Sequence, residues 1–406
     1  LTMKILVVCQ HYWPETFQIT DICEGLVRRG HQVTALVGLP NYPVGTVHPD
    51  YRFGKNRNQE RNGVRIIRSF EIGRGHNPFT LALNYYSFAF SATRIATQLD
   101  ESFDLVFVYQ LSPVLMSIPG ICYAEKHKVP LVLYCCDLWP ESMKVILGNH
   151  LKMVFNYYKR LSQKIYAKAN RLIVQSPAFL EYFKTVHGIA ASKMEYVPHF
   201  ATGVADANLQ KLPHAGINFF VMGNIGRAQD VPVILNAVRF MKATGPFTVH
   251  FVGDGACLHQ SQDYVAKFHL QNRVVFHGKR PVEEMNAFYA VADAFILTLN
   301  GDTWVGTTIP SRLQGYMSAG RPIFAAINGG ARYVIEDAQC GAAVPAGDFK
   351  ALAALLDEFI DKPQVYAQCG QNGKAYFNEH FSKETFLNSL ERIFNDVRKE
   401  DNDVHK

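Results

Sequence analysis

No run of roughly 18 apolar residues occurs in this sequence, so no segment reads as a membrane span. The N-terminus also lacks the apolar h-region of a secretory signal, since Lys4–Cys9 is only a strand-length run. The chain is therefore expected in a reducing cytosol. Cysteine is scattered rather than paired. Of the 8 cysteines, Cys9, Cys23, Cys122, Cys135, Cys136 and Cys257 lie in or beside apolar runs, as small buried side chains do. The adjacent Cys135-Cys136 does not have metal-site spacing, and neither a disulfide framework nor a metal is expected. Charge of one sign is equally scarce: 41 Lys and Arg against 35 Asp and Glu leave +6, with no long basic tail. No zinc-finger spacing, helix-turn-helix signal or basic–aromatic strand pattern points to nucleic acid. A small anionic ligand or an anionic membrane surface fits the charge better.

What remains is a chain of 406 residues, 48% hydrophobic and 19% charged, too long for one average core and suited to two α/β domains. Its organising stretch is Phe219–Pro232. The apolar run Phe219–Met222 passes into Gly223-Asn224-Ile225-Gly226-Arg227, and an amphipathic segment with Val233, Leu235, Ala237 and Val238 follows. Strand, glycine turn and helix in that order predict a nest of backbone N–H groups beside an arginine, an arrangement that holds phosphate. Lys4–Cys9 followed by the turn Gln10–Pro14 repeats the unit at the N-terminus, which suggests two domains facing each other across a cleft.

In an open α/β sheet ligands gather at the C-terminal ends of the strands. His11 and Glu15 lie in such a loop, and the strand Pro130–Cys136 runs directly into Asp137-Leu138-Trp139-Pro140. Asp137 is thus placed to recognise or activate a sugar hydroxyl. Residues 38–63 form a polar, Pro- and Gly-interrupted insertion read as an exposed excursion. The aromatic segment 78–99 is unusually apolar for a solvated helix, and residues 151–168 carry Lys152, Lys159, Arg160, Lys164 and Lys168 on a helical period. Each alone suits ordinary packing or a solvated face; together they could form a basic-aromatic surface for anionic lipid.

The second half repeats strand-end glycines in Gly253-Asp254-Gly255, and Arg280 follows another strand within reach of a base or phosphate. Pro310-Ser311 opens a helix containing Arg312, which puts a helix N-terminus and an arginine in position to clamp a diphosphate.

The motifs HYWPETF (11–17), RRGHQV (28–33), CDLWPES (136–142), GNIGRAQ (223–229), VGDG (252–255), VVFHGKRPVEEM (274–285), IPSRLQGYMSAGRPI (309–323), NGG (328–330) and AAVPAGD (342–348) carry a resemblance over essentially the whole chain. It resembles a family 4 glycosyltransferase of GT-B architecture: two Rossmann-like α/β domains facing a deep interdomain cleft. The subgroup it most resembles moves amino- or deoxysugars in bacterial O-antigen, capsule and colanic acid synthesis. The resemblance implies an acceptor-side domain over 1–200, a linker over 201–218 and a nucleotide-sugar domain over 219–380, with a terminal helix over 381–406 returning to the first domain. Gly223, Asn224, Gly253 and Arg280 would line the donor site, Arg227 and Arg312 would face phosphate, and Ser311 would offer a helix-terminal donor. His11, Glu15 and Asp137 would receive the acceptor.

By the same resemblance the reaction retains anomeric configuration and uses no metal or other cofactor. The donor is a nucleotide-diphosphate sugar, UDP favoured over GDP or dTDP. The acceptor is a glycan on polyprenyl diphosphate, met by a peripheral protein on the inner face of a bacterial cell membrane; a soluble acceptor is the alternative. Two departures stand out. The family's usual pair of glutamates falls on Thr307 and Gly315, and its usual lysine beyond the glycine loop is replaced by Ala228-Gln229-Asp230. They keep open a non-catalytic nucleotide-sugar-binding scaffold, and the fold class also admits a nucleotide-sugar epimerase.

Overall fold

Short apolar runs with almost no polar face form the strands, as expected where helices cover both sides of a parallel sheet. Leu105–Gln110, Leu131–Cys135 and Phe247–Val252 are buried at every position. The computed structural model describes residues 2–143, 152–204, 216–301 and 304–404. It divides into two units, one of Leu1–Gln175, Phe179–Val197 and Leu387–Lys406, the other of Ser176–Ala178 and Pro198–Phe386.

In the first unit the described strands are β1 (Lys4–Cys9), β2 (Gln32–Val37), β3 (Asn58–Arg61), β4 (Val64–Arg68), β5 (Leu105–Gln110), β6 (Leu131–Cys135), β7 (Arg171–Val174) and β8 (Met194–Tyr196). Their order across the sheet is β3-β4-β2-β1-β5-β6-β7-β8. Every pairing is parallel except β3 with β4. Because β1 lies near the middle, the loops leaving β1, β2, β5 and β6 share one edge of the sheet. The polar insertion is more ordered than its composition predicts. Asn58–Arg61 forms the edge strand β3 by hairpin pairing with β4, a polar edge being what keeps an edge strand from joining other chains.

The second unit runs β9 (Ile217–Met222), β10 (Phe247–Val252), β11 (Val274–Gly278), β12 (Ala294–Thr298), β13 (Ile323–Ala326) and β14 (Gly341–Val344), in the order β11-β10-β9-β12-β13-β14, all parallel. Alternation along β9 sends Phe219 and Val221 to one core and Phe220 and Met222 to the other. The first core is closed by the helices Val231–Phe240 and Phe349–Asp361, the second by Ser311–Ser318 and Gly329–Asp337. Gly329-Gly330 of the NGG motif opens the second of these helices.

The last helix, Lys383–Val404, begins in the second unit and from Leu387 onward belongs to the first. There Leu387 packs on Gly25 and the Phe394 ring meets Phe107 edge-on at 5.3 Å between centroids. Residues 205–215 of the expected linker and Leu151 at the start of the basic segment lie outside the described residues.

Candidate functional site

Two constellations emerge, one on each unit. In the first, β1 ends at Cys9 and the chain turns through Gln10–Pro14, so His11 and Glu15 fall within one loop. His11 Nδ1 and Glu15 Oε2 are 2.8 Å apart and both side chains are almost wholly buried. Phe17 stacks on the imidazole at 4.7 Å and Tyr42 meets it edge-on. The other Glu15 oxygen accepts the backbone N–H groups of Asn41 (2.7 Å) and Tyr42 (2.6 Å), from the loop after β2. A carboxylate with one oxygen fixed by backbone and the other on an imidazole leaves that ring a single orientation.

Asp137 leaves β6 on the same sheet edge, separated from β1 by β5. Its Oδ2 accepts the Ser112 N–H at 3.1 Å, and Gln110 at the end of β5 donates to its carbonyl at 3.3 Å. Burial pushes the Asp137 carboxyl above its ordinary value, against the pull of the Ser112 hydrogen bonds. A partly desolvated carboxyl with raised proton affinity is suited to exchanging a proton with a hydroxyl. The structure thus brings His11 and Glu15 into one hydrogen bond and sets Asp137 two strands away on the same edge.

In the second unit the loops leaving β9, β10 and β11 surround a cavity of about 570 Å³. Gly223, Asn224, Val252, Gly253, Asp254, Gly255, Lys279, Arg280 and Met285 line it. Four candidate residues, Gly223, Asn224, Gly253 and Arg280, converge here; Arg227, Ser311 and Arg312 are not among the lining residues. The glycines act differently from the nest their pattern suggests. Gly223 N–H donates to Val252 O, Ile225 N–H to Asp254 O, Gly226 N–H to Gln229 Oε1 and Gly253 N–H to Gly278 O. Those amides are satisfied within the protein.

What the glycines supply is proximity: a Cβ on Gly253, at φ +153°, would stand 1.8 Å from Gly223 O, so only glycine lets the two loops meet. The expected α-helix also starts late. Arg227–Gln229 forms a 3-10 turn, Asp230 takes a left-handed conformation, and the helix begins at Val231.

Positive charge at the cavity comes from side chains. Lys279 is exposed and has no ion-pair partner among the described residues. Arg280 donates from Nε to His277 O at 3.1 Å and faces Glu284 at 3.8 Å, a loose surface pair worth little. Arg227 is exposed, and Ser311 is exposed at the first position of its helix. Half-buried Arg312 stands near the Tyr316 hydroxyl, whose upward shift from burial its charge opposes, and that hydroxyl accepts the Met222 N–H at 2.8 Å at the end of β9. Lys279 lies in the motif VVFHGKRPVEEM (274–285), which does not by itself distinguish it from its neighbours. Its position, directly after the glycine that closes β11, was the available signal.

Thr307 turns its hydroxyl back onto Trp304 O at 2.6 Å. At Gly315 the space a side chain would enter holds the Tyr289 hydroxyl, 2.6 Å from the ideal Cβ position. Burial pushes the Tyr289 phenol up, opposed in part by Arg312. Among the described residues no group of three His, Cys, Asp or Glu side chains is placed to hold a metal.

The first unit also carries an uncovered apolar face. Helix Pro78–Gln98 exposes Phe79, Leu83, Tyr86 and Phe90; helix Lys152–Ala167 exposes Met153 and Tyr157. Tyr86 and Tyr158 share a hydroxyl–hydroxyl contact of 2.7 Å that ties the two helices together. Lys152, Arg160 and Lys164 are exposed on the second of them. No described helix is long and apolar enough to cross a membrane.

Compared with known proteins, residues 16–199 match the glycosyl transferase 4-like domain and residues 208–376 the glycosyl transferases group 1 family. The fold and the two matches place the chain among GT-B glycosyltransferases, related to the family 4 enzymes of bacterial capsule and O-antigen synthesis. The probable glycosyltransferase WbjE of Pseudomonas aeruginosa is 28% identical over 269 residues, 61% of this chain and 64% of that one, so the match falls short of two thirds of the relative. Among solved structures, sucrose-phosphate synthase from Thermosynechococcus elongatus superposes with a TM-score of 0.71 at 15% identity over 97% of this chain and 98% of the other. Anabaena HepE in complex with UDP superposes with a TM-score of 0.68 at 17% identity, over 97% and 100%. At these identities the structures speak for the fold.

Proposed function

We propose that the chain transfers a sugar, an N-acetylated amino- or deoxysugar, from a nucleotide diphosphate to a lipid-linked glycan in bacterial surface polysaccharide synthesis, with retention at the anomeric carbon. The observation that carries the reading is the glycine-built cavity at the ends of β9, β10 and β11, edged by Lys279 and Arg280. As the anomeric C–O bond breaks, negative charge grows on the departing diphosphate. Cations already positioned there stabilise it without reorganising, and removing one such donor costs roughly 2–4 kcal/mol of transition-state stabilisation. With the amides of Gly223, Ile225, Gly226 and Gly253 committed to the protein, Lys279, Arg280 and Arg312 take this task. Arg227 and Ser311 belong to its periphery. UDP is the favoured nucleotide, a preference supported by HepE, whose structure holds UDP.

On the acceptor side, the attacking hydroxyl must lose a proton as it bonds to carbon. The His11–Glu15 pair and Asp137 are the groups able to orient it and receive that proton. The polyprenyl-diphosphate acceptor and an anionic membrane surface are supported by the exposed Phe79, Phe90 and Met153 beside Lys152, Arg160 and Lys164. Apolar side chains that enter the lipid boundary and cations that meet its phosphates are what an interfacial surface combines.

The test is thermal stabilisation by UDP, GDP, dTDP and their common sugar conjugates, since a ligand of the folded state raises its melting temperature. Uridine nucleotides should stabilise the wild type and stabilise Arg280→Ala and Arg312→Ala less. If no nucleotide stabilises the wild type, the donor reading is wrong.

A second reading, a nucleotide-sugar-binding scaffold without turnover, is favoured by one observation: neither Thr307 nor Gly315 presents a carboxylate. Nucleotide binding with no sugar transfer to membrane-derived acceptors would select it.

A further inference from the structure

Beneath the His11–Glu15 pair lies an acid that the sugar-transfer chemistry does not call on. Glu71 follows β4 and is 1% exposed, its carboxyl enclosed by the ends of β1, β2 and β4. Gln10 Nε2 donates to its Oε2 at 2.9 Å and the Asn41 side-chain amide donates to its Oε1. Asn41 is also the residue whose backbone N–H, with that of Tyr42, holds Glu15. We propose that Glu71 is a positioning residue: by clamping the Asn41 side chain it sets the two backbone N–H groups that hold Glu15 against His11.

The geometry makes the chain of contacts continuous. Asn41 Nδ2 divides its two protons between Leu39 O (2.8 Å) and Glu71, and its Oδ1 accepts Arg74 N–H at 3.1 Å, so the whole amide is committed. The loop after β2 has no regular structure of its own to hold Asn41 in place. Gln10 is anchored from the far side by Asn84 Oδ1 at 2.8 Å, which fixes the other wall of the Glu71 pocket. The charged groups that act on Glu71 are Glu15, Arg68 and, just before β3, Arg57. Burial pushes its carboxyl well above the ordinary carboxylate range, with Glu15 adding to the rise and Gln10, the Leu39 N–H and Arg68 opposing it.

A buried carboxyl kept at such a desolvation cost needs a return that a hydrophobic residue of its size cannot give. Here that return is hydrogen-bond acceptance at a loop whose two amides determine where Glu15 stands. Displacing a positioned catalytic group by as little as 1 Å can lower a rate about 100-fold.

The inference rests on the acceptor-side role proposed for His11 and Glu15, and its test separates the two. The imidazole proton on the His11–Glu15 contact is read by NMR in the full chain, without substrate. It should be protected in the wild type and in Glu71→Gln, whose carbonyl still accepts from Asn41, and lost in Glu71→Ala and Asn41→Ala. Turnover should fall at least tenfold in the two alanine variants with donor KM unchanged. Persistence of the proton in folded Glu71→Ala, or in Asn41→Ala should the former fail to fold, overturns the proposal. Failure of the acceptor-side role itself shows differently: His11→Ala would transfer sugar at the wild-type rate whatever the NMR signal does.

Discussion

The Tyr289 hydroxyl occupies the space that a side chain at Gly315 would take, 2.6 Å from its ideal Cβ. The two residues come from different helices, Val282–Val291 and Ser311–Ser318, and the fit works only while residue 315 has no side chain. Restoring a carboxylate at this position is therefore not a local change. Gly315→Ala should lower stability by about 1–3 kcal/mol in chemical denaturation, the usual range for overpacking. The same substitution in a Tyr289→Ala background should lower it far less. Equal losses in both backgrounds would show that the two positions do not compete for space.

Gly253 is constrained twice, by its backbone angle and by the approach of Gly223 O. Gly253→Ala should separate the loops after β9 and β10, lower stability by more than about 2 kcal/mol and remove nucleotide-dependent stabilisation. Retained stabilisation by UDP at wild-type concentrations would place the nucleotide elsewhere.

His187 is boxed by the rings of Tyr166, Tyr182 and Phe183, and neither ring nitrogen has a hydrogen-bond partner among the described residues. Burial lowers its pKa from 6.5 to about 4, with Lys159 adding to the effect. Because the unfolded chain takes up this proton more readily, the stability the neutral ring contributes is complete above pH 6.5. It is lost as pH falls toward 4, by on the order of 3 kcal/mol. His187→Leu should accordingly gain on the wild type as pH drops through that window, measured by urea unfolding. A difference between the two proteins that stays constant with pH would refute the assignment.

Charge reversal tests the membrane surface. Lys159→Glu, Arg160→Glu and Lys164→Glu combined should weaken binding to vesicles containing anionic phosphatidylglycerol by about 100-fold, at roughly 1 kcal/mol per basic residue, and leave nucleotide stabilisation intact. Unchanged vesicle binding would remove that surface from the proposal and favour a soluble acceptor.

The strands were legible because a buried parallel strand has to be an apolar run, and β1, β5, β6, β9 and β10 are. Elements without that constraint were harder to see. Asn58–Arg61 pairs at a sheet edge through backbone alone, so its polar side chains carry no strand signal. The helix Leu258–Lys267 has only Ser261 and Val265 buried, too little for an apolar stripe. Within the site, Gly223, Asn224, Gly253 and Arg280 were legible from their place after strands. That the Gly223, Ile225 and Gly253 amides are already satisfied, and that Tyr289 reaches Gly315, depends on contacts between distant segments that no local pattern encodes. Glu71 carries no local signal for the same reason: its partners Gln10 and Asn41, and the Asn84 that anchors Gln10, come from three separate stretches.

The helix Lys383–Val404 gives the first unit a discontinuous core. Leu387 and Phe394 seat against Gly25 and Phe107, so the hydrophobic interior built around β1 is finished by residues that follow the second unit along the chain. During translation the sheet led by β1 must wait, with part of its apolar surface uncovered, until the whole second unit has emerged. A fragment ending before Leu387 keeps every strand of both sheets and still leaves that surface open to solvent. Its expected failing is aggregation during synthesis, with the cavity at the ends of β9, β10 and β11 left intact.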